Sequence, residues 1–434
     1  MRWMIAALVV AVGTVAVAEQ AQAPDPLLPV ATKYVKLVLA LGQHDADYVD
    51  AYYGAPALKK EAEASKLPLA EIAAQASALA ADIEKTALPA FKDDAELWQL
   101  RKQYLARQTS ALRARVSMLQ GKRLTFDEES RSLYDAIAPK HTEAEFSVIL
   151  DTLDKRLPGE GPVIARYEKF KEAFIIPKDR VDAVFQAAIR ECANRTKAHI
   201  ALPANESFTV EYVTGKSWSG YNWYQGNYRS LIQVNTDLPI YIDRAIDLAC
   251  HEGYPGHHVY NVLLEQHLVR DRGWKEFSIY PLFSPQSLIA EGTANFGVEV
   301  AFPGATRTAF ERDTLYPLAG LKPASAAAYA AVMHEVDRLS YAGNEAARRY
   351  LNGQADRDAT ANWLVQWAML PADRARQRTK FFDQYRSYVI NYNYGKDLVR
   401  AYIERQGGTV ERPDVRWAEF GKLLASPRLP SSLR

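Results

Sequence analysis

His251-Glu252-Gly253-Tyr254-Pro255-Gly256-His257-His258 places three imidazoles and a carboxylate within eight residues of a chain that has 8 histidines in all. A second run, Glu291-Gly292-Thr293-Ala294-Asn295-Phe296, follows further along. Two imidazole nitrogens and one carboxylate oxygen suit a catalytic zinc ion whose fourth position is left for water. A further carboxylate directly after the first histidine is where a zinc hydrolase keeps its general base. The pattern therefore predicts one Zn2+ per chain held by His251, His257 and Glu291, with Glu252 as the base.

The spacing is not that of an ordinary zinc-binding helix. In His-Glu-x-x-His the two histidines are four apart and share one helical face, whereas His251 and His257 are six apart. On an unbroken helix that is about 240° of rotation and about 9 Å of rise, too far for one ion that binds nitrogen at roughly 2.1 Å. Pro255 lacks the N–H that would bond the His251 carbonyl, and its ring clashes with that carbonyl. Gly256 accepts backbone angles closed to other residues. The helix is therefore expected to bulge or break, swinging the second histidine toward the first. His257 is the favoured ligand. His258 is read as a group behind the ligands or facing substrate, and the spacing alone leaves an exchange of the two open. Asp247, one helical turn before His251, is a candidate acceptor for a ligand histidine.

The stretch resembles the His-Glu-x-x-Pro-Gly-His-His signature of the bacterial domain-of-unknown-function family 885, relatives of the gluzincin metallopeptidases. The second signature of that family, Glu-Gly-x-Ala-x-Tyr, is matched from Glu291 except that Phe296 stands in place of tyrosine. A frequent glutamate seven residues after the first falls on Val298, with Glu299 one later, so no role is carried onto it. A Tyr-x-x-Gly near the C-terminus is matched by Tyr392-Asn393-Tyr394-Gly395. The usable motifs cover roughly residues 180–434. The resemblance implies a gluzincin-like architecture, helices surrounding a substrate cleft, with two histidines and a glutamate as zinc ligands.

Composition agrees with a soluble globular chain: of 434 residues 48% are apolar and 24% charged. With 53 basic against 52 acidic residues and no basic tract, a nucleic-acid partner is not expected. Arg2, the apolar run from Met4 to Ala18 and small-x-small sites ending at Ala18 and Ala23 have the order of a secretory signal over residues 1–23. The run is shorter than the about 20 apolar residues of a membrane anchor, so a periplasmic or secreted product without a membrane anchor is expected. The two cysteines, Cys192 and Cys250, share an oxidising compartment on that reading. Cys192, however, continues the apolar helical face of Val181, Val184, Phe185, Ala188 and Ile189, so a buried free thiol is the preferred reading.

The fold class expected is mainly α with a small β-sheet or hairpin. Helical periodicity marks 28–54, 62–86, 94–120, 126–138, 142–156 and 163–200, an N-terminal helical region (24–178) packed as one unit with a zinc-binding region (179–434). Phe208, Val210 and Tyr212 alternate with polar residues and Tyr228 to Val234 is again extended, predicting a hairpin or small sheet across Gly215 to Gly226. Its connection is rich in rings (Trp218, Tyr221, Trp223, Tyr224, Tyr228), either sheet cover or a cleft wall. Pro285 is placed to open the helix carrying Glu291, and residues 356–390 read as one long helix.

The chemistry predicted is attack of a zinc-activated water on an amide of a peptide substrate, with Glu252 shuttling the proton and a phenol, Tyr392 or Tyr394, donating to the oxyanion. A zinc amidase acting on cell-wall peptides, or a zinc-binding protein without catalysis, shares these motifs. His334-Glu335 resembles a fragment of the same signature, but Arg338 stands where its second ligand belongs.

Overall fold

Helical periodicity in the sequence becomes helix over 66% of the described residues, with 7% in strands. The computed structural model describes residues 25–89, 94–216 and 218–434; the leader expected at residues 1–23 lies outside them. The N-terminal helices start where local chemistry tells them to. Phe126–Tyr134 and Glu143–Arg156 each open with a threonine and a glutamate three residues on that bond each other's backbone N–H, satisfying donors that the first helical turn leaves orphaned. Ala95–Leu119 runs unbroken.

Several long segments are divided by proline or by a change of period. The first helix ends at Leu41, and Val49–Tyr52, expected as helix, is strand β1. Pro68 separates Pro56–Ser65 from Leu69–Lys85. A break that includes Pro177 separates Val163–Glu172 from Val181–Lys197. The long C-terminal helix is two, Arg357–Ala368 and Ala372–Tyr385, parted before Pro371. A residue before proline is pushed out of the helical region, which keeps Leu67, Ile176 and Leu370 from joining the helices on either side.

Of the hairpin or small sheet expected, the structure has the sheet, three-stranded. Strand β2 (Ser207–Val213) pairs parallel with β4 (Arg229–Asn235), and the aromatic connection itself supplies β3 (Gly220–Gly226), antiparallel to β4. Asn227 and Tyr228 make the tight β3–β4 turn with φ of 53° and 61°, the left-handed pair such a turn requires. Strand β5 (Ile279–Pro281) pairs with β1. The order β2-β4-β3 leaves β3 at the sheet edge.

One buried core runs from Leu27 to Leu433, drawing on both the 24–178 and the 179–434 regions. Arg101 ties them together: fully buried, it bonds Glu276 at 2.6 Å and Asp25 at 2.8 Å and lies over the Trp274 ring. A buried cation is tolerated because its donors are satisfied by charged acceptors. Among the described residues no helix is long and apolar enough to cross a membrane.

Candidate metal centre

The helix beginning at Asp243 widens over Ala249–Gly253 into a turn with one extra residue, leaves helical geometry at Tyr254–Gly256, and a new helix begins at His257. This is the interruption expected from Pro255 and Gly256. The Gly256 N–H bonds the Cys250 carbonyl at 2.9 Å. A Cβ at Gly256 would lie 1.9 Å from the His251 carbonyl oxygen, so no other residue lets the chain turn here. The turn brings His251 Nε2 and His257 Nε2 to 3.1 Å.

Glu291 arrives from Pro285–Ala301, whose first position is the expected proline. Its Oε2 lies 3.4 Å from His251 Nε2 and 3.8 Å from His257 Nε2. Atoms bound at about 2.0–2.1 Å to one tetrahedral ion lie roughly 3.3–3.4 Å apart, so these three fit a zinc-sized cation. A second feature supports the fit: Glu291 Oε2 is buried without a hydrogen-bond partner, while Oε1 accepts from the Tyr388 hydroxyl at 2.8 Å. A buried carboxylate oxygen left without a donor is costly, and a cation at this position removes the cost. His251, His257 and Glu291 can hold a metal ion.

Electrostatics prepare the same groups. Burial, with the neighbouring His251, lowers the pKa of His257 to about 4, leaving a neutral imidazole with a free lone pair. Burial also pushes His251 down, but the Glu291 and Glu252 carboxylates outweigh it and raise its pKa. For Glu291 burial is opposed by the two histidines and Tyr388, and its carboxyl stays below the ordinary range. Glu252 is buried, and burial lifts its carboxyl to about 7, with His251 opposing and Glu291 reinforcing. That is the range in which a general base both holds and releases a proton at neutral pH.

The third imidazole goes elsewhere. His258 is fully buried, with Nε2 2.7 Å from Glu206 and Nδ1 2.9 Å from the Ser230 hydroxyl. A neutral ring that donates from Nε2 to the carboxylate and accepts at Nδ1 satisfies both. It braces the start of the His257 helix against β2 and β4, and faces neither the cluster nor the cleft. Asp247 does not serve as the histidine acceptor expected of it: it pairs with Arg307 at 2.7 Å and Arg244 at 3.1 Å, and only its charge reaches His251.

Cys192 and Cys250 form a disulfide with Cα atoms 5.6 Å apart, correcting the free-thiol reading. The helical face of Cys192 is buried, as the periodicity implied, but what it packs against is the residue before His251. The bond ties Val181–Lys197 to the turn that carries His251.

The centre opens on a cleft of about 1860 Å³. Edge strand β3 forms one wall, with Trp218, Tyr221 and Tyr224 along it, while Trp223 points outward and is half exposed. Four hydrogen bonds position this strand. Asn222 Nδ2 donates to the Glu252 carbonyl at 2.7 Å. Glu265, just beyond the His257 helix, accepts from the Asn227 and Tyr228 N–H groups and from the Tyr224 hydroxyl. Gly220 lies so close to Glu252 that a Cβ there would be 3.0 Å from Oε1. Tyr385, Tyr388 and Tyr392 also line the cleft; Tyr394 does not.

Two participants were missed in the sequence. Tyr388 lies one turn before Tyr392, and that four-residue spacing was the only available signal. Asp50 of β1 bonds Tyr221 at 2.7 Å, and burial lifts its carboxyl to about 6 despite that bond; nothing local marked it.

No family model matches the chain, and no curated relative does. Its fold is similar to that in the crystal structure of the "putative lipoprotein from Colwellia psychrerythraea", at 14% identity and a TM-score of 0.52, over 87% of this chain and 71% of that one. At that identity the likeness concerns fold alone.

Proposed function

We propose that this protein is an exported zinc-dependent metallopeptidase of gluzincin-like architecture that hydrolyses amide bonds of peptides. The observation that carries the reading is the convergence of His251, His257 and the unpartnered Glu291 Oε2 at metal-ligand separations beside a buried Glu252. A bound zinc ion would supply Lewis acidity, acidifying a water and polarising the scissile carbonyl. Glu252 takes the proton from the attacking water and delivers it to the leaving nitrogen. Tyr392, which lines the cleft beside Tyr388, is the donor assigned here to the oxyanion. Burial keeps its hydroxyl protonated and therefore a donor. Tyr388 holds the ligand carboxylate in orientation.

The cleft supports a peptide over a compact metabolite, because its volume exceeds the about 300–1000 Å³ of ordinary small-molecule pockets. Edge strand β3 offers backbone groups to an extended chain, a common way of seating peptides. The disulfide supports an oxidising compartment, and so export.

The test is hydrolysis of a mixed peptide library by purified zinc-loaded protein and by Glu252→Gln. The expected outcome is cleavage by the parent, abolished by chelation and restored by zinc, and a variant that keeps its metal but loses at least about a hundredfold in rate. Full activity in Glu252→Gln removes the proposed base.

A further inference from the structure

Most of the arginines lining the cleft are held by carboxylates. Arg244 and Arg307 share Asp247, Arg338 bonds Glu335 at 2.5 Å, and Arg400 bonds Glu299 at 2.5 Å. Arg416 is sealed, 4% exposed with its guanidinium over Phe296. Arg378 differs from all of these. It lines the cleft from the Ala372–Tyr385 helix, and among the described residues it has neither an ion pair nor a hydrogen bond.

What Arg378 does have is rings. Its Cζ is 4.3 Å from the Phe381 centroid and 6.0 Å from that of Tyr392. Such stacking fixes the guanidinium plane while leaving its N–H edges free, the geometry that grips a carboxylate through two parallel bonds. A desolvated cation without a counter-charge is destabilising for the fold alone, and burial does lower its pKa. A ligand that brings the missing charge removes this cost.

The position sets what that ligand is. Tyr392 stands next to Tyr388, centroids 5.7 Å apart, and Tyr388 bonds Glu291. Two phenol rings therefore separate Arg378 from the metal ligands, a span of a few residues of extended chain at about 3.4 Å each.

We propose that Arg378 receives the free α-carboxylate of a peptide whose scissile bond lies at the Glu252 centre, so that the enzyme trims peptides from their C-terminal end. This rests on the metallopeptidase reading above and adds a substrate class to it. The same guanidinium chemistry would accept an aspartate or glutamate side chain, and the test separates the two.

A neutral N-acetylated tripeptide is prepared as the free acid, as the C-terminal amide, and as an amide with an internal glutamate. Binding to zinc-loaded Glu252→Gln protein is measured calorimetrically, and hydrolysis by the zinc-loaded parent in parallel. The expected result is at least tenfold tighter binding of the free acid than of either amide. Arg378→Gln should abolish that preference and Arg378→Lys retain part of it, with neither variant unfolding at a lower temperature than the parent. Hydrolysis should follow the same order, mainly through KM. Equal binding of acid and neutral amide, or a preference that survives Arg378→Gln, overturns the proposal. So does recognition of the internal glutamate equal to that of the free acid. Selective binding without hydrolysis by the parent leaves the carboxylate site standing and overturns the peptidase reading alone.

Discussion

Gly292 and Gly395 lie backbone against backbone: a Cβ on Gly292 would sit 2.5 Å from the Gly395 carbonyl oxygen, and one on Gly395 would sit 2.9 Å from that of Leu288. The first glycine follows Glu291; the second closes the run that begins at Tyr392. Their contact is where Pro285–Ala301 and Ile390–Arg405 cross, and it sets how closely Tyr388 and Tyr392 approach Glu291. Gly395→Ala is expected to cost about 1–3 kcal/mol, the ordinary penalty for forcing a methyl into packed space. Denaturant unfolding measures it, and zinc affinity should fall in the same variant. A variant as stable as the parent would show that the helices do not cross here.

The two tyrosines should separate by readout. Tyr388→Phe removes the bond to Glu291 Oε1 and is expected to weaken zinc binding by about 10–100-fold, as loss of a ligand's hydrogen-bond partner generally does. Tyr392→Phe should keep the metal and lower kcat by about a hundredfold, as loss of an oxyanion donor does. Competition with a chelator and steady-state rates on one preparation distinguish them; the opposite pattern exchanges their roles.

Acid should loosen the brace behind the ligands. Burial raises the Glu206 carboxyl, but bonds from His258, Lys197 and Tyr254 outweigh it and hold it at about 2. Its stabilising contribution is therefore complete above its unfolded pKa of about 4.3 and is lost as pH falls from there toward 2. His258 is held below its usual value, mainly by burial. The unfolded state then binds more protons below about pH 6.5, so stability also declines below that pH. Melting temperatures of the parent and of His258→Gln, in the same metal state, should converge as pH falls from 7 to 5. A constant gap would mean that His258 does not titrate with unfolding. His258→Gln should also keep its zinc, whereas His257→Ala should lose it.

The disulfide closes a segment of 58 residues, for which loop-closure entropy gives about 4 kcal/mol, and removal of native bridges costs about 2–5. Cys192→Ala lies away from the cluster in sequence and is expected to lower stability within that range. Unfolding in the presence and absence of a thiol reductant should show the same loss in the parent and none in the variant. An insensitive parent would mean the bond does not form.

The sequence alone was enough for the mainly helical class, the broken helix between His251 and His257, and the proline start of the Glu291 helix. Each is governed by neighbours within a turn or two: apolar periodicity, a missing N–H, a glycine under a carbonyl. It was also enough to bring forward every member of the three-residue cluster, because that chemistry needs particular side chains at particular spacings. Tertiary structure decided the rest. Whether His257 or His258 faces Glu291 depends on Glu206 and Ser230, which lie on other segments. Which tyrosine meets the ligand depends on the Gly292–Gly395 crossing. The pairing of β2 with β4, the partner of Cys192 and the unpaired guanidinium of Arg378 depend on contacts between residues far apart in sequence. Such contacts leave no periodic trace, because either partner alone reads as an ordinary buried or solvated side chain.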